Sequence, residues 1–153
     1  MKLPEAQGLW PAFWLLGNNI TTVNWPACGE QDIMEHINDP SPDWVEGSIH
    51  GPNLNDGKKY PNLGQSFLAS DWHVYGMIWS PNTVSYYVDQ PSNVYATFNK
   101  ADYTGSAVWP FETNSGEFII LNLAVGGNWP GSPDGTTPFP SEMLVDYVRI
   151  YAE

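Results

Sequence analysis

The segment Gly29-Glu30-Gln31-Asp32-Ile33-Met34-Glu35-His36 places three carboxylates within six residues. Its surroundings read as a β-strand, on which residues i and i+2 share a face, so Glu30 and Asp32 point the same way. Glu35 follows Glu30 by five positions, an odd number that simple alternation sends to the opposite face. One extra residue at a β-bulge around Ile33-Met34 returns it to the same side. Two carboxyl groups about 5–5.5 Å apart suit a glycosidase that keeps the anomeric configuration, one attacking the anomeric carbon and the other protonating the leaving oxygen. A third acid between them raises its neighbours' proton affinity and holds the acid/base protonated near neutral pH. The same residues also suit a solvated acidic strand or a cation site built from several carboxylates. Spacing alone leaves those alternatives open.

The elements that must hold these acids are strands. Trp72–Trp79, Thr83–Asp89, Phe118–Val125 and Leu144–Tyr151 are rich in β-branched and aromatic residues. Ser80-Pro81-Asn82 reads as the turn of a hairpin between the first two. No segment keeps a 3.6-residue period for three turns. The fold class is therefore all-β, most simply an antiparallel sandwich in one domain spanning residues 1–153. Asp39–Gln65, Gln90–Pro110 and Gly126–Ser141 carry no element signal, and loops of that length in a compact domain are commonly functional.

Composition narrows the partners. Five Lys and Arg against 17 Asp and Glu give a net charge of −12, which repels phosphate backbones and argues against nucleic acid. No apolar run approaches the roughly 20 residues of a membrane span, so no membrane partner is expected. The 8 Trp offer flat apolar faces with a polar edge, suited to half-wet sites such as the C–H face of a neutral sugar. Cys28 is alone, so no internal disulfide is expected. The opening Met1-Lys2-Leu3-Pro4 lacks the pattern of a signal peptide.

Glu30-x-Asp32-x-x-Glu35 resembles the signature of the family 16 glycoside hydrolases, in their laminarinase-like branch. The flanks agree: Gly8–Gly17 and Trp25-Pro26-Ala27-Cys28-Gly29 upstream, then Ser48-Ile49-His50-Gly51, His73-Val74-Tyr75, Asn122–Gly131 and Leu144–Tyr151 downstream. The resemblance implies a β-jelly roll of two curved antiparallel sheets with glucan lying along the concave one. It implies Glu30 as nucleophile, Glu35 as general acid/base and Asp32 as assisting acid. It also implies Trp25 as a sugar-stacking residue, His50 as a neighbour of the nucleophile and Trp129 as a border of the cleft. Trp10 and Trp14, within an apolar run, read as core, and His36 and His73 as structural. Asp146 resembles an acid that helps hold a structural calcium in some relatives. No metal is expected at the catalytic residues and no cofactor is required, because carboxylates alone can carry out the double displacement.

The reaction so implied is hydrolysis of β-1,3 or mixed β-1,3/1,4 glucan, on a substrate that lies outside cells. Relatives carry several strands before the segment that matches Lys2–Pro4, so the domain is expected to be shortened at its N-terminus. Exposed sheet edges would then favour a homo-oligomer. A shortened cleft also raises the alternative of a glycan-binding jelly-roll module with little or no turnover. Two smaller departures are Gln31, where relatives usually carry an apolar residue, and Ile78, where many are acidic. Gln31 is expected to point away from the acids.

Overall fold

A computed structural model describes residues 1–37, 44–60, 67–112 and 116–151. Eight strands account for its regular structure: β1 Leu9–Gly17, β2 Glu30–Glu35, β3 Val45–Gly51, β4 Leu54–Tyr60, β5 Tyr75–Ser80, β6 Thr83–Val88, β7 Val94–Asn99 and β8 Glu117–Val125. A single 3-10 turn, Lys100–Asp102, completes the described elements. The strands form two antiparallel sheets, one of five in the order β4-β3-β2-β1-β8 and one of three in the order β5-β6-β7. This is the all-β, two-sheet class that the sequence leads one to expect. Among the described residues no helix is long and apolar enough to cross a membrane.

The core lies between the sheets. Val84, Tyr86 and Val88 alternate along β6 and are wholly buried, as period-2 patterning requires of a strand with one covered face. They meet Leu15 of β1, Ile33 and Met34 of β2, and Val45 and Ile49 of β3. Ser80 pairs with Thr83, so Pro81-Asn82 closes the β5–β6 hairpin where the sequence places a turn.

Three expectations are corrected. Asp39–Gln65 contains β3 and β4, and Gln90–Pro110 contains β7. The sequence of β4, LNDGKKY, is poor in β-formers; it is a strand because it pairs with β3 from Val45↔Tyr60 to Gly51↔Leu54, at a sheet edge where polar residues are tolerated. Conversely, Leu144–Tyr151 has strand composition but makes one isolated bridge, Lys2↔Leu144. Beyond it Ile150 and Tyr151 are each 81% exposed. β-propensity describes packing on a pleated surface and produces no strand where no ladder partner stands alongside. The outer edge of β8 likewise has no partner among the described strands, and Phe118, Leu121 and Val125 are exposed on it.

β2 carries the irregularity that five-residue spacing demands. Against β1, Phe13 pairs with Met34 and Trp14 with Asp32, which leaves Ile33 unmatched. Against β3, Asp32 pairs with Ser48 and Glu35 with Glu46, so Ile33 and Met34 stand opposite Gly47 alone. A bulge interrupts the ladder and leaves a carbonyl to satisfy. Tyr95 Oη, from β7 on the opposite sheet, donates to the Ile33 carbonyl at 2.9 Å, and Tyr86 Oη donates to the Ser48 carbonyl at 2.8 Å. Gly47 is what admits the two rings: a Cβ there would stand 2.5 Å from the Tyr86 ring. Tyr95→Phe keeps the ring and removes the donor. We expect it to lower unfolding free energy by about 1–3 kcal/mol, the cost of an unsatisfied buried acceptor, as measured by urea denaturation.

Candidate active site

The bulge brings Glu30, Asp32 and Glu35 to one face of the five-stranded sheet. There they line an open cavity of about 190 Å³ with Trp10, Ala12 and Trp14 of β1 and Asn122 and Ala124 of β8. Alternation along β1 explains its share: Trp10, Ala12 and Trp14 face the cleft, while Phe13 and Leu15 pack against the core. β3 supplies the other wall in register, with His50 opposite Glu30, Ser48 opposite Asp32 and Glu46 opposite Glu35.

Each acid has its own set of contacts. Trp25 Nε1 donates to Glu30 Oε2 at 2.8 Å, and the Trp25 side of the cleft stays open, with 55% of that residue exposed. Its ring is tilted against the His50 ring at 6.1 Å. Trp10 Nε1 donates to Glu35 Oε1 at 3.0 Å and Ser48 Oγ to Glu35 Oε2 at 3.2 Å. Asp32 is 2% exposed, and its Oδ2 lies 2.9 Å from His50 Nε2. The same His50 nitrogen is 3.8 Å from Glu30 Oε1.

Burial dominates the electrostatics. It pushes Glu30 up to about 7, with the Asp32 charge adding to the rise and His50 and the Trp25 N–H opposing it. It pushes Asp32 to about 7 as well, against hydrogen bonds from Ser48 and Glu30. Glu35 is driven highest, to about 8, by burial and then by Asp32. Three such close groups lose their protons as a set. Donors meet both Glu30 and Glu35 and oppose the rise in each, so it is burial, and then the Asp32 charge, that drives Glu35 above Glu30.

Sequence-derived site residues fall into two groups. Trp25 and His50 stand directly beside Glu30. Trp129 instead lies edge-on against Trp10, with ring centroids 5.3 Å apart, and so reaches Glu35 through Trp10. His36 Nδ1 contacts the Trp44 carbonyl at 2.6 Å and His73 pairs with Asp89, both structural roles as expected. Gln31 does face away from the acids: it is buried and donates to Glu117 Oε2 at 2.8 Å, a carboxyl that burial pushes up to about 7.

Trp10 and Trp14 correct the sequence reading, which put them in the core. They wall the cleft, Trp14 Nε1 donating to Asn122 Oδ1 at 2.7 Å. The continuous apolar run of β1 hid the period-2 signal that separates Trp10 and Trp14 from Phe13 and Leu15. Ser48 and Asn122 were also missed; their register opposite Asp32 and Ala12 is what selects them. Among the described residues, the one group of three His, Cys, Asp or Glu able to share an ion is Glu30, Asp32 and His50. Asp146 is not part of this group.

Comparison with known proteins gives the following. The family described as glycosyl hydrolases family 16 matches residues 1–149. Glucan endo-1,3-beta-glucosidase A1 of Niallia circulans is 38% identical over 167 residues, which cover 99% of this chain and 23% of that protein. The endo-beta-1,3-glucanase of Pyrococcus furiosus superposes with a TM-score of 0.76 at 43% identity, covering 91% of this chain and 53% of that one. The laminarinase catalytic domain of Thermotoga petrophila gives 0.79 at 40% identity, covering 90% and 55%. The chain thus spans about half the length of these solved structures.

The raised carboxyls have a consequence for stability. An acid whose folded pKa is raised holds more protons folded than unfolded between the two values, so unfolding free energy falls as pH rises there. That contribution is complete below about 4.5, the ordinary Glu value, and is lost as pH climbs through about 7 to 8. We expect urea midpoints to decline across this window and Asp32→Asn to flatten the decline. Midpoints that rise with pH in wild type would contradict the burial of these groups.

Proposed function

Because the chain belongs to glycosyl hydrolase family 16, we propose that it cleaves internal bonds of β-1,3 or mixed β-1,3/1,4 glucan with retention of anomeric configuration. Glu30 attacks the anomeric carbon as Glu35 gives its proton to the departing glycosidic oxygen, which leaves a glycosyl ester on Glu30. Glu35, now a carboxylate, takes a proton from the water that attacks the same carbon, and Glu30 leaves as an anion. Asp32, buried on the same face, raises the proton affinity of Glu35 by its charge.

The observation that carries this reading is the bulge of β2, which gathers Glu30, Asp32 and Glu35 on one face of an open cleft. Burial pushes Glu30 up to about 7 and Glu35 to about 8, which suits Glu35 to giving a proton. Trp25, Trp10, Trp14 and Trp129 provide apolar faces for pyranose rings along the cleft. Relatives named endo-1,3-β-glucanase and laminarinase support the substrate class. A glucan polymer lies outside cells, and the proposal places the protein there too. No cofactor enters the scheme.

The test is product analysis by chromatography after incubating the 153-residue chain with laminarin, lichenan and agarose. We expect a ladder of oligosaccharides from laminarin, lichenan or both, and none from agarose. Glu35→Gln should lower the rate by about 10²–10⁴-fold, the usual share of a general acid/base, and Glu30→Gln by at least as much. Activity of either variant equal to wild type would overturn the roles. Calorimetric binding of laminarin without any product would instead make the chain a glycan-binding module.

A further inference from the structure

Two of the proposed catalytic acids share the cleft with the imidazole of His50, a donor set that the hydrolytic scheme does not itself call for. We propose that Glu30, Asp32 and His50 form a three-ligand site for a borderline transition-metal dication, with Zn2+ as the type, and that the bound cation blocks the nucleophile. Two carboxylate oxygens and one imidazole nitrogen are a donor set suited to Zn2+, which takes three protein ligands and leaves a fourth position to water. One ligand atom from each residue lies within 4.8 Å of the other two. Zinc bonds of about 2.0–2.2 Å in a tetrahedron put neighbouring ligand atoms about 3.3–3.6 Å apart. His50 Nε2 stands 2.9 Å from Asp32 Oδ2 and 3.8 Å from Glu30 Oε1, on either side of that spacing. Shifts of a few tenths of an ångström at His50 would bring both distances into range.

Three further features distinguish this set from an acidic patch. Asp32 is 2% exposed, and its Oδ2, though 2.9 Å from His50 Nε2, makes no aligned hydrogen bond with any described residue, so a buried oxygen faces the site with its lone pairs uncommitted. The two oxygens of Glu30 are divided: Oε2 is held by the Trp25 N–H, which leaves Oε1 turned toward His50. Trp25 then fixes a ligating carboxylate from behind, the kind of support that orients metal ligands. Finally, His50 and Glu30 are direct cross-strand partners, as are Ser48 and Asp32, so the ligands ride on a paired sheet rather than on a loop. Hard cations such as Mg2+ and Ca2+, which demand six or more oxygen ligands, find too few here.

The site rests on geometry alone and can be read without turnover, so its failure and that of the hydrolase proposal are separable. Isothermal titration of chelator-treated protein with ZnCl2 should show one Zn2+ per chain. The bound ion should raise the melting temperature, and laminarin should compete with it. Loss of a ligand in His50→Ala should weaken binding by on the order of a hundredfold, and Trp25→Phe, which removes only support, by about tenfold. His73→Ala tests the other exposed His–carboxylate pair, His73 with Asp89, and should leave the titration unchanged. His50→Gln offers a second variant should the alanine form fail to fold. Absence of Zn2+ binding to wild type, or binding lost in His73→Ala and kept in both His50 variants, would overturn the proposal.

Discussion

Two residues of β2 stand opposite one residue of β3, and the polar contacts of the cleft follow from that mismatch. Without the extra residue Glu35 would enter the space between the sheets, where Met34 and Ile33 now pack. The bulge is not self-supporting, because it frees a backbone carbonyl in a buried place. Tyr95 supplies the missing donor from the other sheet, Tyr86 braces the adjacent Ser48 carbonyl, and Gly47 gives both rings room. Sheet packing and acid placement are thus one constraint: the second sheet holds in position the distortion that brings the three acids of the first to one face.

That placement has an electrostatic cost. Three carboxyl groups share a face, two of them largely screened from water, and each is driven upward mainly by its own burial. Their neighbours sort them. An indole N–H meets Glu30 and another meets Glu35, yet only Glu30 also has an open, half-wet side bounded by Trp25 and His50. The strand is therefore less stable than an apolar one would be above neutral pH, in keeping with the strain that functional sites commonly hold.

Much of this was legible beforehand. An odd interval between two Glu residues on a strand demands a bulge, and Asp32 midway follows from alternation. Trp25, next to Pro26 and just ahead of the acids, could be read as a binding residue. What escaped the sequence did so for physical reasons. Trp10 and Trp14 sit in a run where both faces are apolar, one covering a core and the other a sugar-sized cleft, so hydrophobicity cannot separate them. β4 has the composition of a loop and is a strand only through pairing. The segment Leu144–Tyr151 has the composition of a strand and no ladder beside most of it. In each case the deciding term is a partner distant in sequence, which no local pattern contains.

The bulge brings Glu30 and Glu35 to one face of the sheet, and the proposed double displacement makes the first a nucleophile and the second an acid. Proton NMR of the first anomer released from laminarin by fresh protein tests this most directly. A β-anomer that appears first and then mutarotates is the result expected of double displacement. An α-anomer appearing first would mean inversion, and would contradict the assignment of Glu30 as a nucleophile.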